Sequence, residues 1–111
     1  HPLVSAIGIT WRRNGAYAAR LVADLTPEQW TAQPVPGRVL NHPSWILSHL
    51  NVYAPICTAM LRGEPFADPI DHPFGQKSEV VTTPGAYADG RSLLAAFERL
   101  HAEAEASLTA A

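Results

Sequence analysis

Apolar residues recur at Val4, Ile7, Trp11, Ala18, Leu21 and Leu25, in alternating steps of three and four, while Arg12, Arg13, Arg20 and Asp24 fall off that line. This is the period of one helix face and predicts a first helix over residues 4–25. Asn14 stands in the middle of the line. A bare amide buried there would cost of order 1–3 kcal/mol without partners, so the pattern calls for a helix–helix hydrogen bond or a polar pocket at that point. Thr26-Pro27-Glu28-Gln29 then carries capping chemistry, with a hydroxyl, a proline and a glutamine at the spacing of a capping box, and predicts a short helical turn. Gln33-Pro34-Val35-Pro36-Gly37 cannot continue it, because each proline removes a donor and extends its predecessor.

A second helix is predicted from Pro43 to about Arg62, with Ile46, Leu50, Tyr53, Cys57 and Met60 on its apolar face and Ser44, Ser48, Asn51, Thr58 and Arg62 on the opposite stripe. Pro55 should bend it, and Gly63 stops it. Residues 64–88 hold four prolines and two glycines without a sustained period, apart from a short extended stretch expected at Val80-Val81-Thr82. A loop of that length in a small domain is usually functional or mobile. Asp89 or Ser92 caps a third helix, with Leu94, Phe97, His101, Ala104 and Leu108 on one face and Glu98, Arg99, Glu103 and Glu105 off it. The fold class is all-α, with three main helices and a long Pro-rich crossover. Helices this long leave a flank that a fourth helix or a partner would have to cover.

Composition narrows the function. One domain accounts for 111 residues. Eight Lys and Arg against ten Asp and Glu, with no basic run, leave no electrostatic footprint for nucleic acid. Apolar runs are broken well short of a membrane span. The single cysteine, Cys57, cannot form an internal disulfide and fits a reducing compartment, so the cytoplasm is expected. The chain starts at His1 and stops in helix-forming composition at Ala111 without a cap, which reads as a domain incomplete at its C-terminus.

The candidate chemistry centres on His49. It lies three residues after Ile46 and four before Tyr53, so it projects from the flank of the apolar face. Two readings stand open: a core histidine donating one ring hydrogen to a backbone carbonyl, or a neutral imidazole bound to a divalent metal between helices. His101, on the inner flank of the third helix, could face the same cavity; His42, at or before the first turn, more naturally caps or lies in solvent. Asp68, Asp71 and His72 form a cluster in the Pro-rich loop that reads as solvated polar chain. Trp11, Trp30, Trp45 and Phe97 read as core aromatics. There is no Cys-x-x-Cys, His-Glu-x-x-His or His-x-x-x-His, and no base is placed beside Ser44 or Ser48.

Asn14 in the first helix, Leu25-Thr26-Pro27-Glu28-Gln29-Trp30, the Pro34-Val35-Pro36-Gly37 turn, and Ser44-Trp45-Ile46-Leu47-Ser48-His49-Leu50 leading through Leu61-Arg62-Gly63-Glu64-Pro65 together resemble the DinB-like superfamily of bacterial helical proteins. The resemblance covers nearly the whole chain, on motifs of moderate specificity. It implies an up-down four-helix bundle with a long crossover after the second helix, commonly a homodimer, holding a nickel- or zinc-type divalent site of three histidines. His49 corresponds to the first of these metal ligands; the other two usually form a closely spaced pair on a last helix, which this chain would end before reaching. Members with assigned activity look like transferases or isomerases dependent on a low-molecular-weight thiol and acting on small-molecule substrates, so the resemblance leaves a thiol-dependent S-transferase or a metal-dependent hydrolase open. The rival readings are a non-catalytic helical dimerisation module and a small-ligand pocket lined by Trp11, Asn14 and His49.

Overall fold

A computed structural model describes residues 1–83 and 85–111. It contains α1 (Pro2–Val22), one turn of 3-10 helix (Gln29–Thr31), α2 (Pro43–Arg62) and α3 (Gly90–Ala110). Local chemistry sets the boundaries. Thr26 and Gln29 form the reciprocal capping box, the Thr26 amide donating to Gln29 Oε1 at 2.9 Å and the Gln29 amide to Thr26 Oγ1 at 3.4 Å. Gly63 ends α2 in the left-handed region at φ 69°, where a side chain would be strained, and lets the Glu64 amide reach the Ala59 carbonyl at 2.9 Å. Asp89 caps α3 through the Ser92 amide. Val80–Thr82 form no strand, and no strand occurs among the described residues; the segment is instead held at Val81 by the His42 ring, at the N-cap of α2, and by the Tyr87 hydroxyl.

α3 is the hub. It runs parallel to α2, since Asn51 donates to the Leu93 carbonyl near the start and Arg62 to Ser107 Oγ near the end. It runs antiparallel to α1, since Gly8 faces Leu108 and Gly15, one heptad later, faces His101. Packing is extensive between α2 and α3 and between α1 and α3, whereas α1 and α2 scarcely meet. The core is correspondingly small: Trp30, Leu47, Leu93 and Phe97, flanked by Ala18, Val22, Leu25 and Leu94. The radius of gyration is 15.2 Å, against about 13 Å for a closed domain of this length. The helices form an open array.

Two sequence expectations fail in the same way. In α1 the single apolar line splits into two: Val4, Trp11 and Ala18 face α3 and are half-buried, whereas Ile7, Asn14 and Leu21 are exposed. Asn14 therefore lies in solvent, and its amide needs no protein partner. In α2 the assignment of faces is reversed. Ser44, Leu47, Ser48 and Thr58 are buried against the rest of the fold, and Ile46, Leu50 and Met60 are 40%, 41% and 56% exposed. Small side chains let α2 and α3 approach closely, at the expense of leaving Ser48 Oγ and Thr58 Oγ1 buried without partners.

A candidate metal donor at His49

The site begins at the start of α2. His42 occupies the N-cap, accepting from the Trp45 amide at Nδ1 (3.1 Å) and donating from Nε2 to the Val81 carbonyl (2.9 Å). Its ring meets the edge of Tyr87, whose hydroxyl in turn accepts from the Val81 amide. His42 is a cap, as the sequence suggests, but it is 2% exposed rather than solvated. Both of its nitrogens are engaged, so it holds the last part of the crossover loop onto α2.

From there Trp45, His49 and Tyr53 follow one another at intervals of four, the spacing that superposes side chains on a helix surface. Trp45 and His49 stack at 4.7 Å with 12° between planes, and His49 and Tyr53 lie 4.9 Å apart at 48°. The crossover loop folds over this ladder and bonds to each rung. Ser78 Oγ accepts from Trp45 Nε1 at 3.2 Å, the Phe74 carbonyl accepts from His49 Nδ1 at 2.8 Å, and the Tyr53 hydroxyl accepts from the Gln76 amide while donating to Asp68 Oδ1. Burial first, and then donation to the Asp68 carboxylate, push the Tyr53 phenol above its ordinary pKa, with the Gln76 amide opposing. Tyr53 stays a neutral donor. Gly75 is required where the loop turns back on itself, because a Cβ there would collide with the Pro69 carbonyl.

The Phe74 carbonyl can only accept, so the neutral His49 ring carries its proton on Nδ1 and presents a lone pair at Nε2. That bond is one a structural histidine would also make; the open Nε2 is what a metal ligand adds, since ligating histidines characteristically donate their other ring N–H to a carbonyl or carboxylate. His101 shares the carbonyl-locked tautomer with its nitrogens exchanged, Nδ1 keeping the lone pair. His1 and His72 do not: they use Nδ1 to accept backbone amides, and both are exposed. His101 turns to α1: its Nε2 donates to the Trp11 carbonyl at 2.7 Å, Trp11 Nε1 donates back to the His101 carbonyl at 2.9 Å, and the rings stack at 4.3 Å. His101 is thus a helix–helix connector and is not brought to His49.

Among the described residues no three His, Cys, Asp or Glu side chains converge as a metal-holding group. The pocket expected from Trp11, Asn14 and His49 does not form, because Trp11 packs on His101, Asn14 is exposed and His49 lies under the crossover loop. A cavity of about 680 Å³ lies elsewhere, between the end of α1, the 3-10 turn and the start of α3, and His49 does not line it. Sequence reasoning missed that cavity, and the only signal for it was Trp30 inside the capping-box segment. It also missed Gly15 as the slot for His101, since a glycine carries no hydropathy signal.

The described residues form an all-helical, open array with a parallel α2–α3 pair, a long crossover, and a histidine in α2's aromatic ladder whose Nδ1–H is tied to a loop carbonyl. A family model of the DinB superfamily matches residues 10–111. The chain belongs to that superfamily. No curated protein and no solved structure matches it. No described helix is long and apolar enough to cross a membrane.

Proposed function

We propose that His49 Nε2 is one donor of a divalent-metal site of nickel or zinc type, and that the protein is a cytoplasmic DinB-type enzyme, a thiol-dependent S-transferase or a metal-dependent hydrolase acting on a small molecule. The observation that carries this is the Nδ1–H bond to the Phe74 carbonyl, which leaves Nε2 as the free lone pair. A catalytic site of this kind needs about three protein donors and an open position, and such a metal lowers the pKa of a bound thiol or water toward neutrality. The remaining donors come, in this reading, from a helix seated on the apolar stripes that α1 and α2 leave open. Those stripes supply the second support. Leu3, Ile7 and Leu21 on α1 and Ile46, Leu50 and Met60 on α2 are all 40% or more exposed; they lie roughly 60–100° around the α1 axis and roughly 105–175° around the α2 axis from the α3-facing sides, so a further helix could rest on them without displacing α3.

The test is metal content of the untagged full-length protein and its His49→Ala variant by mass spectrometry. About one nickel- or zinc-class ion per chain in the parent and none in the variant is expected; equal content in both removes His49 from the site. The same exposed stripes favour one other reading, a non-catalytic module that pairs as a homodimer through them. A metal-free dimer that dissociates on Leu50→Lys substitution, measured by sedimentation, would support it.

A further inference from the structure

We propose that the cavity between α1, the 3-10 turn and α3 is a second binding site, independent of His49, for a small molecule with an apolar body and a carbonyl-type oxygen. Its volume of about 680 Å³ falls within the range of small-molecule pockets. Val22, Leu25, Leu94 and the Trp30 ring supply apolar walls. The polar side chains among them include the Trp30 indole, the Ser44 hydroxyl and the Arg91 guanidinium. Trp11 and Trp45 each bond their indole N–H to a protein acceptor. Trp30 is 7% exposed, yet its N–H makes no such bond among the described residues, and the hydroxyl of Ser44, 3% exposed, makes none either. Both residues line the cavity, so the Trp30 N–H and the Ser44 hydroxyl are available there to a bound molecule.

The same wall holds the start of α3. Asp89 turns one oxygen to the Ser92 amide and the other to the Ser92 hydroxyl, while the Gly90 and Arg91 amides precede the first intrahelical bond. The Arg91 side chain lies at the cavity as well. The Trp30 N–H and the Gly90 and Arg91 amides have no acceptor within the described residues, so the matching ligand presents an acceptor oxygen to them. Gly90 itself is needed because the Trp30 ring lies directly on it, and any Cβ there would collide with the indole. Trp30 is therefore held in place by packing rather than by a bond of its N–H.

The test titrates the full chain with 4-phenylbutyrate and with 4-phenylbutyramide, read by calorimetry and by tryptophan fluorescence. Saturable one-to-one binding is expected, weakened about five-fold by Trp30→Phe, which keeps a ring and removes the N–H, and weakened similarly by Ser44→Ala. Ala23→Phe, at the exposed C-cap of α1 on the cavity wall, fills the space and should abolish binding with the circular dichroism spectrum unchanged. Tighter, salt-sensitive binding of the acid than of the amide identifies a carboxylate ligand; equal binding identifies a neutral carbonyl compound. His49→Ala leaves either result unaltered, so failure at the metal donor and failure here are separable. Absence of saturation with both probes, or affinity unchanged by all three cavity variants, overturns the proposal.

Discussion

Replacing Gly15 by alanine sets two effects of known size against each other. In an exposed helix interior the change stabilises by about 1 kcal/mol, because glycine loses more backbone freedom on folding. At Gly15 the new Cβ would stand 2.5 Å from His101 Cδ2 and Nε2, far inside van der Waals contact. The ring cannot simply swing away, since it stacks on Trp11 and donates to the Trp11 carbonyl. Displacing it forfeits a hydrogen bond worth about 1 kcal/mol and a stacked pair worth about 0.5–1.5 kcal/mol; moving α1 instead incurs an overpacking cost of about 1–3 kcal/mol. Either route outweighs the helix gain, so Gly15→Ala should destabilise by about 1 kcal/mol. Gly8 on the same helix is the internal control, as its Cβ would meet nothing nearer than Leu108 Cδ2 at 4.0 Å. Gly8→Ala should stabilise by about 1 kcal/mol. Urea denaturation followed by circular dichroism should separate the two variants by about 2 kcal/mol, and in a His101→Ala background Gly15→Ala should become stabilising. If Gly15→Ala and Gly8→Ala shift the midpoint equally and in the same direction, the account of the α1–α3 contact is wrong.

His42→Ala should cost about 2–4 kcal/mol, through the lost cap, the lost Val81 bond and the vacated buried volume, and should raise hydrogen-exchange rates near Val81; His42→Asn should restore the cap alone. Thr58→Val removes a buried hydroxyl without a partner at nearly constant volume, so thermal melting should show a neutral effect or a gain of up to about 1 kcal/mol. The Asp89 carboxyl is held below its ordinary pKa, first by the Ser92 amide and then by its hydroxyl. Its contribution is therefore complete above the ordinary carboxylate value of about 4 and is lost as pH falls through the lowered folded value. Stability profiles of the parent and Asp89→Asn should converge at acid pH, and profiles that stay parallel down to about pH 2 contradict the cap.

Helix existence was legible because periodicity and capping are local. Pro43, Gly63, Asp89 and the Thr26–Gln29 box mark boundaries by chemistry that acts within a turn, and all of them hold. Which face meets which neighbour was not legible, because hydropathy identifies an apolar stripe without naming what covers it. In α1 the line splits by sevens, Val4, Trp11 and Ala18 toward α3 and Ile7, Asn14 and Leu21 away, a division that depends on where α3 lies. In α2 the buried side carries Ser44, Ser48 and Thr58, whose value is small size rather than hydropathy. His49 stood out in the sequence by its position on the α2 flank. Its carbonyl partner Phe74 is 25 residues away in an aperiodic loop, where nothing in the spacing could reveal the bond.

The central claim is that Nε2 of His49 carries the available lone pair, and long-range 15N–1H NMR of the imidazole rings reports that directly. In the metal-free full-length protein at neutral pH, His49 should show protonated Nδ1 and unprotonated Nε2, and added zinc should shift the Nε2 resonance selectively. A His49 ring protonated at Nε2, or one untouched by zinc that binds the protein elsewhere, contradicts the account.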